Sequence, residues 1–166
     1  MIKLPSAQDL ILKLENQIKL ILDDSTCLIG IPTGGHLIIK QLCKNLGDHL
    51  NYGLIDGSFY RDDLDISGLK IKEKTSNINF DIENKKIILI DDVFYTGRTI
   101  RAAINELFDY GRPKEILLFV LVDRMKNELP IKPTYSAYEL NNDKGDYINL
   151  VEERNILSFE VKNIGR

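Results

Sequence analysis

Four consecutive apolar residues, Ile87-Ile88-Leu89-Ile90, run straight into two adjacent carboxylates, Asp91-Asp92. A strand with one face in water alternates apolar and polar side chains. A run without alternation belongs to a strand covered on both faces, which is the setting of a parallel sheet. Apolar runs at Cys27 to Ile31 and Ile116 to Val122 predict further inner strands. Between them the apolar spacing turns helical. Leu37, Ile38, Leu42 and Leu46 stop at Gly47, and Ile100, Ile104 and Leu107 lie in an expected helix from Arg98 to Tyr110, closed by Gly111 and Pro113. Ahead of these, Ser6 and Asp9 form a capping pattern for a helix carrying Leu10, Leu14, Ile18 and Ile21. Tyr52 to Tyr60 reads as another strand. The tail holds strand-like runs at Thr134 to Tyr138, Tyr147 to Val151 and Ile156 to Val161. Strand and helix alternating in this way predict one α/β domain over residues 1–166, built on a mainly parallel central sheet flanked by helices.

Composition narrows the function classes. Hydrophobic residues make up 43% of the chain, enough for a packed core and too many for a disordered one. With 22 basic and 25 acidic residues the net charge is -3, so no overall cationic field argues for nucleic acid. A local basic face stays open, with Lys13, Lys19, Lys40 and Lys44 on two expected helices. Cys27 and Cys43 lack CxxC spacing and read as reduced thiols rather than metal ligands. No apolar run approaches the ~20 residues of a membrane span, and no signal pattern opens the chain. The expectation is a cytoplasmic protein with no membrane partner.

In an open parallel sheet, ligands bind beyond the carboxyl ends of the strands. The informative segment is therefore Asp91-Asp92-Val93-Phe94-Tyr95-Thr96-Gly97-Arg98-Thr99, a strand end, a short loop and a helix start. A helix N-terminus offers unpaired N–H groups and the positive end of the dipole, and so holds an anion. Gly97 permits positive φ and a close backbone approach. Thr96 and Thr99 add hydroxyl donors. Asp91 and Asp92 are suited to accept hydrogen bonds from vicinal hydroxyls such as those of a ribose. Together these parts describe a site for a ribose 5-phosphate. Two competitors share an apolar strand ending in Asp. A nucleotide triphosphatase needs G-x-x-x-x-G-K-[ST] and a dinucleotide fold needs G-x-G-x-x-G, and the chain has neither.

This segment resembles the signature of type I phosphoribosyltransferases that binds 5-phosphoribosyl-1-pyrophosphate (PRPP). Flanking pieces resemble the PyrR family in the same order: Ser58-Phe59-Tyr60-Arg61-Asp62-Asp63-Leu64, Gly111-Arg112-Pro113, Val120-Leu121-Val122-Asp123-Arg124 and Glu128-Leu129-Pro130-Ile131. The resemblance runs from about residue 27 to the end. It implies a type I phosphoribosyltransferase fold with a small hood and a flexible loop. It also implies two activities: transfer of phosphoribosyl from PRPP to uracil, giving UMP and pyrophosphate, and uridine-nucleotide-dependent regulation through a pyrimidine mRNA leader. The alternatives are a non-catalytic nucleotide sensor that binds RNA, or a phosphoribosyltransferase for another base such as a purine.

By the same resemblance Asp91 and Asp92 hold the ribose hydroxyls as catalytic residues, and Val93 through Thr99 complete the PRPP site. Thr33, Gly34 and Gly35 form the pyrophosphate loop, Mg²⁺ accompanies PRPP without direct protein ligands, and the chain is a homo-oligomer, dimer or tetramer. The polar stretch Asp62 to Asn79, with Lys70, Lys72 and Lys74, is the expected flexible loop, and Arg61 stands at its head. Val122, Asp123 and Arg124 are the residues expected near the base. Asp123 has the alternative of pairing with Arg124 or Arg112. His36, after the Gly-Gly turn, is an acid–base candidate whose plainer role is structural. One departure stands out. PyrR proteins read Thr-Arg-Gly at the pyrophosphate loop, and this chain has Gly34 at the centre. Losing one charge-assisted bond to the leaving group costs roughly 1.5–3 kcal/mol, so weaker catalysis is expected.

Overall fold

The computed structural model describes residues 3–47, 50–57, 76–141 and 145–162. In chain order the elements are α1 (Ala7–Ile21), β1 (Thr26–Gly30), α2 (Gly34–Leu46), β2 (Asn51–Leu54), β3 (Lys86–Phe94), α3 (Arg98–Leu107), β4 (Glu115–Asp123), β5 (Tyr135–Glu139), β6 (Tyr147–Glu153) and β7 (Ile156–Lys162). The first five strands form one sheet in the order β2-β1-β3-β4-β5, and every neighbouring pair is parallel. β6 and β7 make a separate antiparallel pair. The parallel sheet and the small appended sheet match the architecture expected from the sequence.

Burial explains why the inner strands carry unbroken apolar runs. Ile87, Ile88, Leu89 and Ile90 are all fully buried, because each face of the sheet has its own core. On one face Leu10, Leu14 and Ile18 of α1 and Ile38 and Leu42 of α2 pack with Ile88, Ile90 and Leu121, and with Ile148, Leu150 and Leu157 of the small sheet. On the other, Ile100, Ala103 and Leu107 of α3 pack with Ile87, Leu89, Leu118 and Val120. Deleting a large side chain from either core leaves a cavity worth about 2–5 kcal/mol.

Ladder lengths create the corner that holds Asp91 and Asp92. β1 ends at Gly30, opposite Ile90. β3 continues past it, because β4 still runs alongside and pairs Asp91 with Val120, Val93 with Val122 and Phe94 with Asp123. The two aspartates, expected to end the strand, therefore sit inside the ladder on its β4 side, and the strand runs on to Phe94. On the vacated β1 side the chain turns into α2, with Ile31 N–H donating to the Ile90 carbonyl at 2.9 Å.

Other boundaries also moved. The strand expected from Tyr52 to Tyr60 closes at Leu54. Gly57 then adopts φ +66°, which extended pairing cannot accommodate, and residues 58–60 lie outside the described residues. The third helix stops at Leu107 rather than Tyr110. Its last N–H groups, of Asp109 and Tyr110, reach back only three residues, to Glu106 and Leu107, so the final turn tightens out of α geometry. Of the expected loop 62–79, residues 62–75 lie outside the described residues, and Asn77 exchanges two backbone bonds with Leu54 at 2.8 and 2.9 Å.

Candidate active site

Three helix N-termini differ in how they are finished. At α1 the Ser6 side chain accepts from Asp9 N–H at 3.1 Å, an ordinary cap. At α2 and α3 the cap residues are Thr33 and Gly97, and neither supplies a side-chain cap bond. Those two helices follow β1 and β3 at the carboxyl edge of the sheet. Gly35 N–H already donates to the Ile31 carbonyl at 2.8 Å and Arg98 N–H to Thr96 Oγ1 at 3.3 Å, so the capacity to bind anions rests with the other opening amides, and the carboxylate pair lies between the two helix starts.

Gly97 takes the left-handed conformation, φ +90° and ψ -4°. Thr96 Oγ1 accepts from Arg98 N–H at 3.3 Å, and the Thr96 carbonyl accepts from Glu128 N–H at 2.9 Å and Leu129 N–H at 3.3 Å. Arg98 Nε pairs with Glu128 at 3.0 Å. The Glu128-Leu129-Pro130-Ile131 stretch thus braces the Thr96–Thr99 turn from outside. Tyr95 is 41% exposed, and the Arg124 guanidinium stacks on its ring at 3.9 Å. Phe94 is buried in the α3-side core and Val93 packs against the other core. Thr99 is half-buried on the first turn of α3.

The carboxylates are nearly dry, with Asp91 7% and Asp92 8% exposed. Asp91 Oδ1 accepts from Asp92 N–H at 2.9 Å. Burial first, and the Asp92 carboxylate beside it second, push the Asp91 carboxyl well above the ordinary carboxylate range. Asp92 Oδ2 accepts from Leu150 N–H on β6 at 2.7 Å. The Thr33-Gly34-Gly35 turn presses on the same spot. A Cβ on Gly35 would lie 2.2 Å from the Ile90 carbonyl oxygen, and one on Gly34 would lie 2.2 Å from Asp92 Cγ. The turn includes a cis peptide between Pro32 and Thr33.

The expected base-proximal residues separate. Val122 is fully buried in the core, while Asp123 Oδ1 accepts from Met125 N–H at 2.8 Å. Asp123 also lines a groove of about 470 Å³ with Phe94, Met125, Lys132, Tyr135 and Glu139 at the ends of β4 and β5. Arg124 is buried beneath Tyr95. His36 is exposed on the first turn of α2. Arg61, Lys70, Lys72 and Lys74 lie outside the described residues, as does His49.

Two features escaped the sequence reading. One is the Leu150 amide on Asp92. The other is Glu106, 1% exposed, whose carboxylate accepts from Gly57 N–H at 2.8 Å and from the Ser76 hydroxyl at 2.6 Å, while Ser76 Oγ accepts from Asp56 N–H at 2.9 Å. One buried carboxylate of α3 thereby gathers the ends of two segments, residues 56–57 and 76. Its signal was faint: Glu106 lies three residues past Ala103, on the margin of the inward stripe.

The fold is that of a phosphoribosyltransferase domain. The phosphoribosyl transferase domain family matches residues 6–152. Similar curated proteins include "Bifunctional protein PyrR" of Pseudomonas paraeruginosa, 42% identical over 136 residues, covering 78% of this chain and 80% of that protein. The protein of the same name from Caldicellulosiruptor bescii is 42% identical over 135 residues, covering 78% and 74%. The chain belongs to the PyrR family. Among solved structures, a hypoxanthine-guanine phosphoribosyltransferase of Bacillus anthracis superposes with TM-score 0.65 at 16% identity over 89% of this chain and 85% of its own. A purine phosphoribosyltransferase of Pyrococcus horikoshii gives 0.59 at 25%, over 80% of each. These likenesses support the shared fold. Among the described residues no helix is long and apolar enough to cross a membrane.

Proposed function

We propose that this chain binds PRPP across the corner between α2 and α3 and transfers its phosphoribosyl group to uracil, giving UMP and pyrophosphate. The observation that carries the reading is the pair of helix N-termini whose cap residues, Thr33 and Gly97, lend no side-chain bond, on either side of a buried carboxylate pair. The α3 turn, Thr96 to Thr99, suits the 5′-phosphate. The α2 turn, Thr33 to Gly35, suits the pyrophosphate. Asp91 and Asp92 lie between them, where the ribose hydroxyls of PRPP would fall.

In the reaction N1 of uracil forms a bond to C1 of the ribose, the bond from C1 to the pyrophosphate oxygen breaks, and the N1 proton is lost. The transition state carries positive charge on the sugar, so fixed negative charge beside it and fixed amides at the leaving group lower the barrier. The Asp92 carboxylate supplies the first and the opening turn of α2 the second, while Asp91, whose carboxyl burial pushes up, serves to orient the ribose hydroxyls. Mg²⁺ fits this donor set as a companion of PRPP. Two buried carboxylates welcome a cation, yet among the described residues no group of three or more His, Cys, Asp or Glu side chains could cage one. When bound with PRPP it neutralises the leaving group.

The word "Bifunctional" in the relatives' names supports a second, regulatory role on pyrimidine mRNA, with the same pocket sensing uridine nucleotides. The helical lysines lend that role little support, since Lys19 pairs with Glu15 and Lys40 with Glu152. A homo-oligomer is proposed on family grounds. The test is to incubate PRPP and Mg²⁺ with uracil, hypoxanthine, guanine and orotate separately and to measure nucleotide product. UMP from uracil alone is expected. Product from a purine only would overturn the base assignment, and no product with tight UMP binding would favour the sensor.

A further inference from the structure

We propose that Asp92 is a positioning residue that locks the β6–β7 sheet onto the pyrophosphate turn, and that Gly34 stands in that turn to admit it. The inference deepens the function proposed above and rests on the same assignment of the corner.

Three separate segments close on one side chain. From β6, Leu150 N–H reaches Asp92 Oδ2 at 2.7 Å, and Leu150 itself is 1% exposed. From β3, Asp91 lies beside it, with its Oδ1 on the Asp92 amide. From α2, Gly34 leaves its Cβ position vacant, and the Asp92 side chain fills it. An added Cβ would stand 2.2 Å from Cγ, 2.4 Å from Oδ1 and 2.6 Å from the Cβ of Asp92. No real Cβ tolerates such distances, and Asp is too short to swing aside without breaking the Leu150 bond. Among the described residues β6 pairs with β7 alone in its ladder, so the Asp92 bond joins that small sheet directly to the end of β3 in the large one.

The arrangement gives the departure at residue 34 a cause. An arginine there would not simply add a cation for the leaving group. Its Cβ would displace Asp92, free Leu150 N–H and loosen β6 over the corner. Glycine at 34 and the Asp92 bond to β6 are thus two halves of one device.

Amide hydrogen exchange on the ligand-free protein tests the lock. Asp92→Ala and Gly34→Ala are each expected to speed exchange at Leu150 by roughly tenfold or more, as loss of one charge-assisted bond implies. The core amides of β3 and β4 should keep their protection and so show that the variants fold. The double variant should exchange no faster than either single one, since both remove the same contact. Asp92→Asn retains an acceptor oxygen and should hold Leu150 within about threefold of the parent, by the same hydrogen-bond magnitudes. Under the uracil assay, Gly34→Arg should lower kcat/KM. Unchanged exchange at Leu150 in both alanine variants, additive effects in the double, or Gly34→Arg outperforming the parent would overturn the proposal. The exchange arms need no substrate. A chain that makes no UMP but loses Leu150 protection as described would refute the activity and leave the lock standing.

Discussion

Replacing Gly97 by alanine isolates the turn that opens α3, the proposed phosphate site. The three atoms nearest an added Cβ are Ile131 Cβ, Leu129 Cβ and Phe94 Cζ, each at 3.6 Å, an ordinary contact distance. The methyl group therefore fits, and any cost is conformational. At φ +90° an L-residue is disfavoured by about 1–2 kcal/mol. The stiffer unfolded chain adds no relief where the native φ is incompatible. That energy has two places to appear. If the turn keeps its shape, the free protein loses about 1–2 kcal/mol of stability and PRPP affinity is unchanged. If the turn relaxes to negative φ, the opening of α3 changes shape, stability is kept, and PRPP affinity falls by a factor of about 5–30, the same energy expressed as an equilibrium constant. Urea unfolding of the free protein, paired with calorimetric titration of PRPP and Mg²⁺, measures both terms. Their sum is the predicted quantity. A variant with both terms within about 0.5 kcal/mol of the parent, the usual range of neutral surface changes, would refute the claim that positive φ at residue 97 shapes an anion site.

Other consequences are open to simple assays. Because burial raises the Asp91 carboxyl in the folded state, the native protein holds a proton that the unfolded chain has lost. The stability this proton confers is present below about pH 4 and is lost as pH rises through the folded value. Asp91→Asn should accordingly melt higher than the parent above that window, with a gap that widens with pH and then levels, while PRPP binding declines; a gap that narrows with pH would contradict the assignment. Glu106→Ala leaves the Gly57 amide and the Ser76 hydroxyl without their acceptor and should cost about 1–3 kcal/mol for each donor left unsatisfied, read as a lower urea midpoint. Cys27 is 1% exposed, and its thiol is pushed up by burial, whereas Cys43 is half-buried. A thiol reagent should label Cys43 first in the native protein and reach Cys27 only on unfolding.

Much of this was legible along the chain because the signals are local. The unbroken run Ile87 to Ile90 announced a strand covered on both faces, and both cores are present. Gly97, between a strand end and a helix start, suggested positive φ, and the helix cap there is left-handed. What stayed hidden is carried by contacts between distant segments. The donor on Asp92 is a backbone amide 58 residues away, and a backbone amide leaves no mark in a sequence. Gly34 read as a missing cation because the volume it vacates belongs to another side chain. Glu106 looked like one more charge on a helix, since its partners arrive from residues 57 and 76, and nothing local marks a carboxylate as buried. Strand ends shifted for the same reason: how far β3 extends depends on β4 beside it, not on the apolar run itself.

The claim that everything else depends on is that a sugar phosphate docks on the opening turn of α3. Titration of isotope-labelled protein with PRPP and Mg²⁺, followed at the backbone amides, addresses it without needing turnover. Saturable shifts are predicted at Gly97, Arg98 and Thr99, matched by ribose 5-phosphate and absent with ribose. Amides at 97–99 that stay still while PRPP binds elsewhere, or that respond equally to unphosphorylated ribose, would contradict the account.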